Sequence, residues 1–253
     1  MRVIVVGCSG SFAGPDSAAS CYLLEGERHG RTWRVLLDLG SGALGSLHRH
    51  VDPLTVDAVL VSHLHPDHYF DISGLYVMWK YHPEGARPPI PVWGPKGVGR
   101  QCARAYGLSR DPGMSAEFDF HEYDGEPIRL GPFTIHAHRV AHPVAAYGLR
   151  VEADGHVLAY SGDTGPCQEL VELAAGVDLL LCEAAFVESG HNPSDLHLTG
   201  KQAGAAAAEA GARRLVLTHI PLWHDPRVPL AEAREAYDGP IDVAAAGSTY
   251  TLD

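Results

Sequence analysis

The sequence predicts an α/β protein in which two β-sheets pack together with helices on the outside. Short β-branched runs alternate with helix-period segments along the whole chain, and glycines or prolines bound most of them. An apolar fraction of 45% with 28 glycines suits such a fold, and 253 residues are enough for one core, so a single domain over 1–253 is expected.

The strands "RVIVV" (2–6), "SCYLLE" (20–25), "WRVLLDLG" (33–40) and "DAVLVSH" (57–63) come first. Segment 70–82, "FDISGLYVMWKYH", has helical spacing, with Ile72, Leu75, Val77, Met78 and Trp79 as its expected apolar face. After "PVWGP" comes a helix candidate over 96–107. Strands are then expected at 117–123, 133–140, 145–153 and 156–163. The last third reads as helix 167–176, strand 178–184, helix 199–211, strand 213–220, helix 229–237 and strand 241–247. The stretches "GARPPIP" (85–91) and "SGHNPSD" (189–195) read as loops, and no internal repeat is visible.

Composition excludes several classes. No apolar run approaches the roughly 20 residues of a membrane span, and "MRVIVVGCSG" halts at Gly7, as a buried first strand would. Cys8, Cys21, Cys102, Cys167 and Cys182 are an odd, scattered set with no C-x-x-C pair, which suggests neither a disulfide framework nor a thiolate zinc site. A cytoplasmic location is expected. The formal charge of −12 disfavours long nucleic acids, whose phosphates are bound mainly by Lys and Arg.

The chemistry is concentrated in "SHLHPDH" (62–68). His63, His65, Asp67 and His68 follow the buried strand "DAVLV", at the kind of strand exit where ligands converge in α/β folds. Imidazole nitrogen and carboxylate oxygen suit a borderline metal such as zinc, and the spacing lets i and i+2 address one ion while i+4 and i+5 reach another. His29, His48, His50, His82, His121, His136, His138 and His156 are isolated and read as surface or strand-face residues. Four residues cannot complete two coordination spheres. His142 in "VAHP", Asp163 in "SGDTG" and His219 in "THIP" each stand just beyond an apolar strand and are the candidates to do so.

The order H-x-H-x-D-H, His142, Asp163 and His219 resembles the metallo-β-lactamase-fold hydrolases over nearly the whole chain. That resemblance implies a four-layer αββα sandwich with a dinuclear metal site at its edge. It implies that His63, His65 and His142 hold the first ion and Asp67, His68 and His219 the second, with Asp163 bridging. It also implies that Asp38 in "LLDLGSG" orders the metal-site loop. Where redox-active di-iron relatives carry Glu this chain has His65, which points to hydrolysis, and the final His219 differs from true β-lactamases. "CEAAF" (182–186), containing Glu183, and "DLHLTG" (195–200) resemble the ribonuclease Z branch. There a histidine matched by His197 assists phosphodiester cleavage. The other reading of His197 is a residue in the cap region of a helix starting near Thr199. The tRNA-processing enzymes insert a basic arm between the positions of His142 and Asp163, but here residues 143–162 leave room for one hairpin only. The overall pattern is similar to bacterial atypical class II cyclic-nucleotide phosphodiesterases.

The resemblance implies two divalent ions, zinc first, with manganese or iron as alternatives. The expected reaction is hydrolysis of a small phosphodiester, a 3′,5′-cyclic nucleotide, by hydroxide formed from a water whose pKa the two ions lower. Asp67 and His197 would act as catalytic groups. Other small phosphodiesters, thioesters, ribonuclease Z-type processing and a non-enzymatic metal scaffold are the alternatives. The loop containing Ser9, Gly10 and Ser11 could offer N–H groups to a phosphate or be a plain tight turn. Tyr69 and Trp223 could wall the pocket or stack on a base, or simply pack in the core. No membrane partner is expected. A homodimer would use the apolar segment "ISGLYVMW" (72–79).

Overall fold

The computed structural model describes residues 1–188 and 191–252, so the first two positions of the loop expected at 189–195 lie outside the described residues. The strands, in chain order, are β1 (Arg2–Ser9), β2 (Ala18–Ala19), β3 (Cys21–Arg28), β4 (Arg31–Leu37), β5 (Ala58–Leu60), β6 (Ile90–Gly94), β7 (Phe118–Glu122), β8 (Ile128–Leu130), β9 (Phe133–Arg139), β10 (Tyr147–Ala153), β11 (His156–Tyr160), β12 (Leu179–Glu183), β13 (Leu215–Thr218), β14 (Ile241–Val243) and β15 (Thr249–Thr251). The helices are α1 (Ala43–Leu47), α2 (Pro66–Tyr69), α3 (Ile72–Tyr81), α4 (Val98–Tyr106), α5 (Gln168–Leu173), α6 (Gly200–Ala210) and α7 (Arg227–Arg234).

One sheet runs β15-β1-β3-β4-β5-β6-β7, with β2 paired to β1, and the other runs β14-β13-β12-β11-β10-β9-β8. The strands are buried on both faces because side chains alternate. Val3 and Val5 of β1 meet Tyr22, Leu24, Leu149, Val151 and Leu181 between the sheets. Ile4 and Val6 point the other way, into a layer with Ile72, Leu75, Tyr76 and Trp79 of α3. On the far face, Leu180 and Cys182 of β12 pack on α5, α6 and α7 through Leu170, Ala203 and Ala233. Three apolar layers between four structural layers make the αββα sandwich.

Two sequence expectations need correcting. On α3 the buried face is Ile72, Leu75, Tyr76 and Trp79, and Val77 is exposed. Those four positions follow the i, i+3, i+4, i+7 spacing of one helix face, which Val77 does not share. The short elements β2, β8, β15, α1 and α2 were not anticipated. They are too brief for a periodic signal and form through pairing or packing with longer neighbours, as β15 does against β1.

Parallel pairing runs through β4-β5-β6-β7 and β11-β12-β13-β14, so these strands end at one edge of the sandwich. β9 is antiparallel to β10, which is antiparallel to β11, so β9 ends there too. That edge receives the chemistry. Among the described residues, no helix is long and apolar enough to cross a membrane.

Candidate metal centre

The residues after β5 fold into α2, with Pro66 at its first turn and His65 as the preceding cap residue. Proline is pre-set for that position, and the single turn places Asp67 and His68 side by side while His63 and His65 stay on the incoming loop. Glycine is required beneath it: a Cβ at Gly40 would run into the carbonyl oxygen of Asp67. Tyr147 N–H donates to the Ser62 carbonyl at 3.0 Å, tying this loop to the second sheet.

The structure sorts the seven candidate ligands into two groups that share one member. Ligand atoms of His63, His65, His142 and Asp163 lie within 4.8 Å of one another, as do those of Asp67, His68, Asp163 and His219. In the first group His63 Nε2 and His142 Nε2 stand 3.0 and 3.2 Å from His65 Nδ1, and His63 Nε2 is 3.6 Å from Asp163 Oδ2. In the second, His68 Nε2 is 3.3 Å from Asp163 Oδ1 and 3.4 Å from Asp67 Oδ2, while His219 Nε2 is 3.3 Å from Asp163 Oδ2. Ligands about 2.0–2.1 Å from a tetrahedral ion stand about 3.3 Å apart, which is the spacing observed. The buried atoms His68 Nε2 and Asp163 Oδ1 make no hydrogen bond. The donor set, its spacing and these orphaned atoms all fit a pair of divalent ions, zinc among them.

The rings are aimed by what holds their other nitrogens. His142 Nδ1 donates to the Leu196 carbonyl at 2.9 Å, which frees Nε2. His219 Nδ1 meets Ser20 Oγ at 3.0 Å, and His63 Nδ1 meets Ser62 Oγ at 3.1 Å. His68 Nδ1 bonds Asp38 Oδ2 at 2.7 Å. Asp38 sits fully buried at the end of β4 with φ of 61° and also accepts from Ser62 N–H, Ser62 Oγ and Tyr160 OH at 2.6, 2.8 and 2.7 Å. Those four contacts join the end of β4 to the metal-site loop and to β11. Ser20, Ser62 and Tyr160 were not singled out from sequence. Only Ser62, abutting the histidine cluster, carried a signal.

Burial pushes His63 well below the ordinary imidazole range and lowers His65 and His142, so all three rest as neutral donors. Burial works against charge on Asp67, yet the close approach and charge of His68, with the charge of His219, bring its carboxyl down to about 2. Asp163 is likewise held well below the carboxylate range, against burial, by His219, His68 and His63. For His68 burial is outweighed by Asp163 and Asp38, which raise it well above the usual value. A proton there does what a bound cation would do between the same carboxylates.

Beside the shared aspartate lies a third group, Asp163, Glu183 and His197. Glu183, the last residue of β12, is fully buried, and its oxygens accept from Thr164 N–H at 2.8 Å, Ala185 N–H at 3.1 Å, Leu198 N–H at 3.3 Å and His197 Nδ1 at 2.8 Å. His197 Nδ1 is 4.0 Å from Asp163 Oδ2, and Phe186 stands edge-on to the ring. Burial opposes the imidazolium, but Glu183 and Asp163 raise its pKa to about 9. The cap of α6 is Thr199, which bonds Gln202 N–H in a capping box, so His197 is free of that duty.

Of the expected substrate contacts, Ser11 reaches the site: its backbone N–H lies 3.3 Å from His219 Nε2. Gly10 is pressed against the His219 carbonyl, and Ser9 carries a buried hydroxyl without a partner on the wall of a cavity of about 660 Å³ shared with Thr218, Ile220 and Leu222. Tyr69 does not face the site: it is 3% exposed within the outer core, its OH accepting from Gln101 Nε2 at 3.0 Å. The turn of α2 that presents Asp67 and His68 directs Tyr69 inward instead. Trp223 is 64% exposed and does not pack in the core.

Residues 33–220 match the beta-lactamase superfamily domain family. The chain belongs to that family. Among its superfamily relatives, an uncharacterized protein of Mycobacterium tuberculosis is 46% identical, covering 100% of this chain and 92% of the relative. The probable metallo-hydrolase YhfI of Bacillus subtilis is 29% identical over 99% of both chains, and a crystal structure of that metallo-beta-lactamase fold protein superposes with a TM-score of 0.87 over 98% of each at 28% identity. A ribonuclease Z of Myxococcus xanthus is 31% identical, covering 86% of this chain and 88% of the relative. Superfamily membership, a metallo-hydrolase relative and the paired His/Asp clusters together support a metal-dependent hydrolase in the ribonuclease Z and YhfI branch.

Proposed function

We propose that this protein is a phosphodiesterase that cleaves 3′,5′-cyclic nucleotides to nucleoside monophosphates. The observation that carries the reading is His197, held by Glu183 next to the aspartate common to both metal clusters. It provides an acid at the point where a leaving oxygen needs a proton. Two divalent ions held by the seven ligands would neutralise phosphoryl charge and lower the pKa of a water from 15.7 toward ~7.

The chain's own groups supply the rest. Asp67, ionised at neutral pH, orients the attacking water by accepting a hydrogen bond from it, and the proton that the lowered pKa releases passes to solvent. As the new P–O bond forms, the bond to the 3′-oxygen breaks. His197, with Nδ1 occupied by Glu183, donates its Nε2 proton to that oxygen. The Ser11 N–H, which lies beside His219 Nε2, would be the backbone donor to a phosphoryl oxygen.

Ribonuclease Z-type processing is the second reading, favoured by the Myxococcus relative. Against it, the chain between His142 and Asp163 forms only the β10–β11 hairpin, and the net charge is −12. Turnover of 3′,5′-cyclic AMP by protein of measured metal content, beside Asp67→Ala, tests the proposal. AMP formation that disappears in the variant is the expected result. A fully metallated wild type that leaves cyclic AMP intact would overturn it and direct attention to other phosphodiesters and thioesters.

A further inference from the structure

We infer that Phe12 and Trp223 form a preformed aromatic platform for the base of a nucleotide substrate. The inference rests on the phosphodiesterase reading and names the part of the substrate that reading leaves unassigned. The two rings lie with centroids 5.1 Å apart and planes inclined at 45°. They are 40% and 64% exposed, with Leu222 also open to solvent beside them. Contiguous exposed apolar surface is where ligand-binding grooves are found.

Both rings stand on segments locked to the metal centre. Ser11 adopts φ of 63°, a conformation rare for a non-glycine residue, and this left-handed turn accompanies a Phe12 N–H bond to the Gly10 carbonyl at 2.8 Å. The same turn directs Ser11 N–H at His219 Nε2. Gly10 N–H donates to the Ile220 carbonyl at 3.2 Å, and a side chain at Gly10 would collide with the His219 carbonyl. His219 itself has φ of 56°, after which His224 N–H closes a turn onto the Pro221 carbonyl at 2.9 Å and brings Trp223 outward. The loop bearing Phe12 and the loop bearing Trp223 thus meet at the ligand His219. The backbone that carries both rings is anchored to the segment that bears the candidate ligand His219.

A flat, π-rich group joined to a phosphoryl centre matches this placement, because every nucleobase has a face to stack and stacking needs no particular hydrogen-bond pattern. The platform therefore favours base-bearing phosphodiesters while discriminating weakly among bases.

The test is saturation-transfer NMR of adenosine with the metal-loaded protein, run on wild type, Phe12→Ala, Trp223→Ala and Trp223→Phe. The expected result is saturation of the adenine H2 and H8 protons in wild type, most of it lost in Trp223→Ala, reduced in Phe12→Ala and kept in Trp223→Phe. In parallel, the KM for cyclic AMP should rise about tenfold or more in Trp223→Ala, the scale of one stacked base. Absence of base saturation in wild type, or equal saturation in Trp223→Ala, would overturn the platform even if cyclic AMP is hydrolysed. Saturation that depends on Trp223 in a protein that leaves cyclic AMP intact would uphold the platform and reject the cyclic-nucleotide reaction alone.

Discussion

The imidazole of His197 and the carboxylate of Glu183 meet at 2.8 Å, Nδ1 to Oε1, and every other contact of that carboxylate is a backbone N–H. Glu183 cannot turn away without stranding buried donors, so the ring is fixed in place and held protonated.

This pair sets a pH limit. With a pKa of about 9, His197 is charged at neutral pH, and catalysis by its proton should fall as pH rises through that value. Glu183→Gln removes the charge that opposes burial, so the alkaline limb of kcat/KM should move to lower pH. An unmoved limb would reject the role of Glu183. The linkage to stability has the same sign. A raised histidine pKa stabilises the fold fully below the unfolded value of 6.5 and less and less as pH rises through about 9. The difference in urea midpoint between wild type and His197→Ala, read from pH 6 to 10, reports it.

Asp163 is the one ligand common to both clusters. Asp163→Ala is expected to lower bound metal below two ions per chain and to reduce kcat by about 10²–10³-fold, the scale of losing one preorganised electrostatic stabiliser. Elemental analysis of the purified variant beside its kinetics checks both. Two tightly held ions in the variant would remove the bridging role.

Asp38 is not among the candidate ligands, but it accepts from His68, from both donors of Ser62 and from Tyr160. Asp38→Asn tolerates the left-handed backbone there but turns one acceptor oxygen into a donor. Metal affinity should drop about 10- to 100-fold, as for other changes behind a ligating histidine. Competition with a chelator measures this, and unchanged affinity would count against Asp38 as the group that aims His68.

Gly40→Ala should be costly although Gly40 does no chemistry, because the new methyl would meet the Asp67 carbonyl. Overpacking of this kind costs about 1–3 kcal/mol. The expected result is a lower urea midpoint together with weaker metal binding, since the displaced backbone is that of α2. Loss of stability with undisturbed metal affinity would mean that the loop relaxes without moving its ligands.

Much of this protein was readable in its sequence, for identifiable reasons. Long strands with both faces apolar, such as β1 and β12, announce themselves because burial on two sides demands an unbroken apolar run. His63, His65, Asp67 and His68 were legible because one loop and the turn that follows it supply them all within six residues. His142, Asp163 and His219 were legible because each ends an apolar strand. By itself, then, the sequence determined the α/β class, the alternation of elements and the candidate ligands. Tertiary structure alone decided how those ligands divide, which face of α3 is inward, and that Tyr69 serves the core while Trp223 stays outside. It also supplied Ser20, Ser62 and Tyr160, whose contacts span long stretches of chain and leave no local pattern. Strand and helix periods record which side of an element is buried. Which buried groups meet depends on how the two sheets stack and on the pairing that brings the strand ends to one edge.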